Sequence, residues 1–279
     1  EFYTNQVQYT GTTVVSNGVL ALIAPASLTN SASVTLATST AILDVSQEGD
    51  PDITGFNITP TGYFEAVAGH SMNGLGTIRG GLVVDAGGRV NVGLPGTTAI
   101  LTVTNAVTLN GTTSMKLIKG NTPSSDELVS STAGSITYGG ALVVTNGGGA
   151  LAVNDTFTLF GASSRIGAFT STNLPAGYAW DTSQLNVNGT IRVTAIVAVA
   201  VPPAFSSVNF SALSGGSITF NATGSANGPV SIYTATNILT PLTNWSLLNS
   251  GSFDNTGNYS TNLTVNPAAP TQFFILSTP

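Results

Sequence analysis

Glycine pairs that open onto short β-branched runs constrain this chain more than any other feature. One such corner runs from Gly80 to Val84, and a near-copy runs from Gly139 to Val144. Each is followed by a further glycine pair, beginning at Gly87 and at Gly147. A repeating β-solenoid turns from one wall into the next in this way. The spacing predicts the faces of a coil with about 20 or more residues per rung.

Composition points to the same class of fold. Charged residues make up only 6% of the chain and apolar residues 42%, and 32 glycines leave few residues that favour helix. We therefore predict an all-β protein. The longest apolar run, Ala195 to Phe205, is shorter than the roughly 18 residues a spanning helix needs, and it contains Pro202 and Pro203. We expect no membrane span, and we interpret this run as a linker.

Several classes of function are disfavoured by charge and cysteine content. The formal charge of -6 and the total of six Lys and Arg give no basic stripe for nucleic acid. The absence of cysteine removes disulfides and thiolate metal sites. So low a charge content is typical of exported proteins, and we predict an extracellular or cell-surface protein of a bacterium whose signal peptide has been removed.

The order of short strands separates two domains. Predicted strands in the first part are Thr12 to Val15, Val19 to Ile23, Val34 to Leu36 and Ala41 to Val45. Hairpins of a sandwich would also fit such strands, and the glycine spacing decides for a solenoid. Beyond Ala204, dense aromatic residues and turns predict a small antiparallel, immunoglobulin-like β-sandwich. The predicted domains are a β-helix over 1–195, a linker over 196–203 and a sandwich over 204–279.

Four segments carry a resemblance to a known family. The run from Tyr9 to Leu20, Tyr-Thr-Gly-Thr-Thr-Val-Val-Ser-Asn-Gly-Val-Leu, resembles the autotransporter-associated β-strand repeat of PATR type, as do Leu75 to Gly88, Gly149 to Phe160 and Leu174 to Ile191. The resemblance implies a right-handed parallel β-helix outside a bacterial cell, in a family rich in adhesins and without a shared catalytic site.

A weaker resemblance covers the second domain. Segments from Tyr233 to Trp245, Gly251 to Asp254 and Gln272 to Phe274 are similar to the carboxy-terminal β domain of large surface proteins from Verrucomicrobia. This resemblance implies a module for sorting or surface association.

Candidate sites for metal chemistry are few. Glu48, Asp50 and Asp52 place three carboxylates within five residues, the oxygen-rich composition that calcium accepts, but their spacing does not match a dedicated calcium loop. We interpret them as a solvated insertion, with calcium as the alternative. No cofactor is expected. His70, the only histidine, lies in a predicted turn and has no partner for a catalytic triad.

Two pairs of acidic residues are the candidates for catalytic groups in this sequence. Asp50 with Glu65, or Asp126 with Glu127, are the candidates for the two carboxylates of a polysaccharide-acting enzyme. Neither pair comes with a predicted cleft lined by aromatic or basic residues. We therefore assign no catalytic residue and expect a protein that is not an enzyme.

The amino-terminal segment supplies the leading hypothesis of function. Residues 2–9 alternate apolar and polar side chains like a strand that awaits a partner, and the assembly candidates are Phe2, Tyr3, Val7 and Tyr9. Pairing with another copy would give a head-to-tail filament, whereas pairing within the chain would give the first rung of its own coil. A self-assembling surface filament or matrix is the first hypothesis, with copies of the chain as partner. A monomeric adhesin that binds cell-surface glycans is the second, and a polysaccharide-acting enzyme the third.

Overall fold

The chain divides into two compact units, Glu1–Val197 and Ala198–Pro279. The computed structural model describes residues 2–3, 10–23, 28, 31–46, 56–58, 62–131, 134–197, 202–211, 217–264 and 271–278. Strands account for almost all of its regular structure, which confirms the all-β prediction. Among the described residues, no helix has the length and hydropathy that crossing a membrane requires.

Three parallel sheets, each made of strands from successive coils, form the walls of a β-helix in the first unit. Strands are numbered in chain order. Sheet 1 contains, in spatial order, β1 (Phe2–Tyr3), β3 (Gly18–Leu22), β5 (Ala41–Asp44), β9 (Gly76–Arg79), β12 (Ile100–Val103), β15 (Glu127–Ser130) and β19 (Phe160–Gly161). All of its pairings are parallel.

Sheet 2 also has seven strands, and all of its pairings are parallel. Its order is β2 (Thr13–Val15), β4 (Ser33–Leu36), β8 (Ser71–Gly74), β11 (Arg89–Val92), β14 (Thr112–Leu117), β17 (Ala141–Asn146) and β21 (Ser171–Asn173). Strands β2 to β5 lie where the sequence predicted the first four runs, so those predictions are confirmed.

Sheet 3 has six strands among the described residues. Its order is β6 (Phe56–Ile58), β7 (Tyr63–Ala66), β10 (Gly81–Val84), β13 (Val107–Leu109), β16 (Ser135–Tyr138) and β20 (Ser164–Gly167). Its pairings are parallel except that between β6 and β7, which is antiparallel. Together the three sheets confirm the predicted parallel β-helix.

Strict alternation of side chains fills the interior of the coil. In β14, Thr113, Met115 and Leu117 are buried while the residues between them are half-buried on the outer face. The period of two follows from the pleat of the strand. Leucine, isoleucine and valine from successive coils stack in one continuous core that also reaches the end of the first unit.

Coil length varies while strand register is kept. Ser71 pairs with Arg89, 18 residues further on, whereas Ile42 pairs with Thr77, 35 residues further on. The two near-copy glycine corners also differ from each other. The first opens β10 in sheet 3, and the second precedes β17 in sheet 2. They are therefore corners into different walls and not equivalent positions of a repeat.

Glycine is required at the tightest corners because neighbouring coils lie in contact there. Gly74, the last residue of β8, has a φ of +104°, and a Cβ at this position would overlap the carbonyl oxygen of Leu36 in the previous coil. An L-residue with a side chain would meet both the unfavourable backbone region and the clash.

The carboxyl end of the coil has a different architecture from the one its repeat resemblance implied. Residues there form an antiparallel sheet of β18 (Thr156–Thr158), β23 (Thr190–Ile196) and β22 (Tyr178–Asp181), in that order, in place of further parallel rungs. Trp180 packs partly buried against the core, and its indole N–H donates to the carbonyl of Pro175 at 3.1 Å.

Two antiparallel three-stranded sheets form the second unit. One contains β24 (Ala204–Ser211), β25 (Ser217–Thr223) and β28 (Asn258–Thr264), and the other β27 (Ser246–Ser252), β26 (Pro229–Ala235) and β29 (Phe273–Ser277). Ile218 and Phe220 of the first sheet pack with Ile232 of the second, which makes a small sandwich core. A short 3-10 helix spans Leu242–Asn244. Trp245 follows it and lies half-buried outside both core clusters.

Candidate functional site

The amino-terminal edge of the coil is the first place where function was predicted. Phe2 and Tyr3 form β1, which pairs in parallel with Ala21 and Leu22 of β3. The candidates Val7 and Tyr9 lie outside the described residues. Since β1 is the end strand of sheet 1, it has a described neighbour on one side only. The segment thus contributes to a first rung of its own coil, and β1 is the end strand of sheet 1 among the described residues.

Strand β2 forms the corresponding edge of sheet 2. Its one described neighbour is β4. Val14 points outward with 54% of its surface exposed. Beneath it, the buried hydroxyl oxygens of Thr13 and Ser31 lie 2.9 Å apart, and Ser31 donates to the carbonyl of Gly11 at 2.7 Å. These bonds connect the backbone before β2 with the segment before β4.

The carboxyl end of the coil is covered over sheet 1. The backbone N–H groups of Leu159 and Phe160 donate to the carbonyl of Gly189 at 2.9 and 3.2 Å. Asn186 donates to the carbonyl of Gly167 at 2.8 Å. The cap segment (residues 182–189) thereby occupies hydrogen-bonding groups of β19 and β20.

Strand β21 of sheet 2 differs from β19 and β20. All three of its residues are exposed, and its described neighbour is β17 alone. Between Thr172 and the cap segment lies a cavity of about 240 Å³, which Tyr138 and Phe169 also line. Sheet 2 therefore has an edge strand at each end, β2 and β21.

The acidic pair Asp126 and Glu127 is divided between two environments. Asp126 is fully buried and immediately precedes β15, whereas Glu127 is half-buried on that strand. Asp126 Oδ2 lies 2.5 Å from Lys116 Nζ and accepts the backbone N–H of Lys116 at 2.8 Å, and its Oδ1 accepts the N–H of Ala99 at 2.9 Å. These bonds occupy both carboxylate oxygens in a structural role.

Burial has the largest effect on the pKa of both acids. It raises the pKa of the Asp126 carboxyl, although Lys116 and the backbone donors favour the charged form. Burial likewise raises the pKa of Glu127, against the attraction of Arg165. Gly93 lies so close that a Cβ there would overlap Asp126 Oδ1. The Asp126 environment is thus closely packed and leaves no room for a substrate at the carboxylate.

A concave site lies next to this ion pair, on the outer face of sheet 2. The Lys116 cavity has a volume of about 400 Å³, and Lys116 itself has 22% of its side chain exposed. Its walls combine polar and apolar residues: Asn91, Val92, Gly93, Leu94, Pro95, Ser114, Met115, Lys116, Val143 and Thr145. Sequence reasoning missed it. The sequence feature that could have indicated this site was Lys116, a charged residue in a chain with few charges, at an outward position of the alternating strand β14.

A ladder of polar side chains leads along sheet 2 to the Lys116 cavity. Asn91 Nδ2 donates to Asn73 Oδ1 at 2.7 Å, and Asn73 Nδ2 contacts Thr35 Oγ1 at 3.4 Å. These residues occupy the same outward column of the sheet, with Ser114 next in register. Stacked asparagines of this kind bond across the rungs of regular parallel sheets.

The other sequence candidates do not assemble into a site. Glu48, Asp50 and Asp52 lie outside the described residues, and no cluster of three acidic or histidine side chains suited to a metal occurs among the residues that are described. Glu65 is on β7. The ring Nδ1 of His70 lies 3.2 Å from the carbonyl of Ala68, in the turn that the sequence predicted.

Comparison with known proteins gives no further assignment. No family model matches the chain, and no curated protein shows significant similarity to it. The resemblance to autotransporter-associated repeats therefore stays a prediction.

Proposed function

We propose that this chain is a non-enzymatic structural protein of a bacterial surface, which assembles head to tail through the two ends of sheet 2. The supporting observation is that one parallel sheet has an edge strand at each end, β2 and β21. Stacking β21 of one copy on β2 of the next would continue the sheet in the same strand direction. Such a heterologous contact does not close on itself and yields a fibre.

The cap segment supports sheet 2 over sheet 1 as the contact. At the carboxyl end of sheet 1, Gly189 already accepts the N–H groups that a stacked strand would need. The cavity beside Thr172 means that the cap segment does not pack fully against β21. Rung stacking on sheet 2 therefore requires less rearrangement than rung stacking on sheet 1.

A charge-exchange experiment tests this contact. Val14 and Asn173 occupy the two ends of one outward column of sheet 2. If the sheet continues into the next copy, Asn173 of one copy would lie opposite Val14 of the next. Adjacent strands are about 4.8 Å apart, so like charges there repel. Negative-stain electron microscopy and sedimentation of the unmodified chain should show fibres. The double variant Val14→Glu/Asn173→Glu should give monomers, and Val14→Lys/Asn173→Glu should recover fibres.

The control is matched in charge and exposure. Ile100→Glu/Asn121→Glu adds two acids at exposed positions midway along the coil and outside sheet 2, and it should leave fibres unchanged. Fibres that persist in Val14→Glu/Asn173→Glu would contradict the sheet 2 contact. Monomers of the unmodified chain at every concentration would contradict assembly altogether.

The second candidate is a monomeric adhesin, and the Lys116 cavity favours it. A cavity with a few polar groups among apolar walls has the composition of a ligand site. A glycan array probed with monomeric protein and with Ser114→Val and Thr145→Val variants would separate the two. Binding that these substitutions weaken supports the adhesin, and the absence of glycan binding contradicts it.

A further inference from the structure

The loop between β26 and β27 has exposed apolar side chains and a polar pocket at its base. The apolar loop (residues 236–247, which include the first two residues of β27) exposes Ile238, Leu239, Leu242 and Leu247, with 85% of the Leu239 surface accessible. At its base lies a polar pocket of about 240 Å³. Apolar and pocket-lining residues are interleaved along the loop, so that neighbouring side chains serve the two surfaces.

Hydrogen bonds hold the apolar loop in one conformation. Leu239 N donates to Asn237 Oδ1 at 3.0 Å, and Thr240 N donates to the Asn237 carbonyl at 3.1 Å. The indole of Trp245 donates to the Thr240 carbonyl at 2.8 Å. The leucines are therefore exposed in a loop conformation that hydrogen bonds hold in place. Contiguous exposed apolar side chains mark contact sites for membranes or partners.

The polar pocket is lined almost entirely by hydroxyl and amide groups. Its residues are Thr234, Ala235, Thr236, Thr240, Asn244, Ser246 and Gln272. The hydroxyl of Thr234 is buried and has no hydrogen-bond partner among the described residues. An unpaired buried hydroxyl of this kind lowers the stability of the sandwich. The volume equals about eight waters, which suits a group of monosaccharide size.

Charge excludes ionic ligands from this pocket. From Ala204 to Pro279 the one ionisable acidic or basic side chain is Asp254. Its Oδ1 accepts bonds from Thr256 N, Thr256 Oγ1 and Asn258 N within its own turn. The pocket thus offers neither a cation for phosphate nor an anion for an amine. Hydroxyl and amide groups instead match a neutral ligand that carries many hydroxyls.

We infer that the second unit binds the neutral, polyhydroxylated headgroup of a membrane glycolipid, with the headgroup in the polar pocket and the apolar loop in the acyl boundary. The polar, uncharged pocket matches a neutral headgroup, and the apolar side chains beside it match the acyl chains of the same lipid. Half-buried tryptophan at the base of such a loop suits the membrane interface. This inference goes beyond the proposed assembly and does not depend on it.

Vesicle sedimentation with the full chain tests the inference. One set of vesicles contains phosphatidylcholine alone, and the other also contains monogalactosyl diacylglycerol. Binding to the galactolipid vesicles that exceeds binding to phosphatidylcholine is the expected result, with inhibition by free methyl galactoside. Thr240→Val should weaken this binding about fivefold, the effect of one hydrogen bond. Leu239→Ser/Leu242→Ser should abolish it.

Two controls match these variants. Thr264→Val removes an exposed hydroxyl elsewhere in the sandwich, and Val187→Ser removes an exposed apolar side chain in the other unit. Both should bind like the unmodified chain. Equal binding to both kinds of vesicle would overturn the role of the pocket. Binding of free galactoside without any preference for vesicles would assign the pocket to soluble sugar, and no binding to either vesicle or sugar would overturn the site.

Discussion

Buried hydroxyls in sheet 2 show how single residues set the stability of the coil. Thr13 and Thr113 occupy the same inward column, in β2 and β14. Thr13 is bonded to Ser31, whereas the hydroxyl of Thr113 has no partner among the described residues. The same chemical group is therefore stabilising at one position and costly at the other.

Replacing these two threonines with valine should have opposite effects. Thr113→Val removes an unsatisfied hydroxyl at nearly constant volume and should raise the free energy of unfolding by about 1 kcal/mol. Thr13→Val leaves Ser31 without that partner and should lower it by about 1 kcal/mol. Urea denaturation followed by circular dichroism measures both. A loss of stability in Thr113→Val would show that the hydroxyl is paired in solution.

The Lys116–Asp126 pair should behave as a coupled unit. Asp126→Asn leaves a partly buried ammonium without its counter-ion and should cost about 3 kcal/mol of unfolding free energy. Adding Lys116→Met should recover part of that loss, so that the double variant is less destabilised than the sum of the single variants. Chemical denaturation of the four proteins gives this coupling directly. Additive losses would mean that Lys116 and Asp126 act independently.

At the scale of elements, the corners were harder to predict than the strands. Strands β2 to β5 follow from β-branched runs between turn residues, because alternation and turn chemistry are local properties. The wall to which each glycine corner leads depends on coil length, which varies from 18 to 38 residues. For that reason, similar sequences at Gly80 and Gly139 lie at non-equivalent corners. Likewise, Lys116 and Asp126 lie ten residues apart in sequence, and local pattern did not predict their contact.

Acid should weaken the contact between two loops of the coil. Lys119 Nζ lies 2.7 Å from Asp155 Oδ2, and this bond, with the N–H of Ala152, holds the pKa of Asp155 below 3.8. Since the folded pKa is below the unfolded one, its stabilisation is complete above about pH 3.8 and is lost as the pH falls through the folded pKa.

Denaturation midpoints measured between neutral pH and pH 2 test this contribution. Asp155→Asn should show a smaller decrease in stability below pH 4 than the unmodified chain. Lys119→Gln, which keeps the bond from Ala152, should show an intermediate decrease. Identical acid profiles for all three proteins would exclude a role for this contact.

The first strand offers a test that separates two modes of assembly. Deletion of residues 1–9 removes β1 and the remaining assembly candidates while keeping β2. Under rung stacking through sheet 2, the shortened chain should still form fibres, seen by negative-stain electron microscopy. Under strand donation, it should give folded monomers. Circular dichroism of the shortened chain checks that the β-helix remains folded.

At the scale of the whole molecule, the two units have cores of very different size. The first unit has one continuous core along the coil, whereas the sandwich relies on two small clusters around Phe220 and Phe253. The sequence predicted this division from the change in aromatic density near Ala204. It did not predict the antiparallel sheet of β18, β22 and β23, because nothing local distinguishes the strands of a cap from the strands of another rung.

Separate cores predict separate unfolding transitions. Phe220→Ala removes a fully buried aromatic ring and should cost the sandwich about 4 kcal/mol. Differential scanning calorimetry should show one transition moved to lower temperature and the other unchanged. Leu43→Ala, in the core of the coil, should move the other transition. A joint shift of both transitions in either variant would show that the units unfold together.

Because coil length varies while strand register is kept, the protein should accept peptides inserted into the turns of its coil. Ile118 and Ser124 are joined by a backbone hydrogen bond of 2.9 Å, and the turn between them leaves the registers of sheet 2 untouched. A cargo peptide inserted at Gly120, where φ is +92° and the surroundings are open, would lengthen one coil in the same way as the natural long coils do. Each subunit of a fibre would then carry one copy of the cargo at a regular spacing.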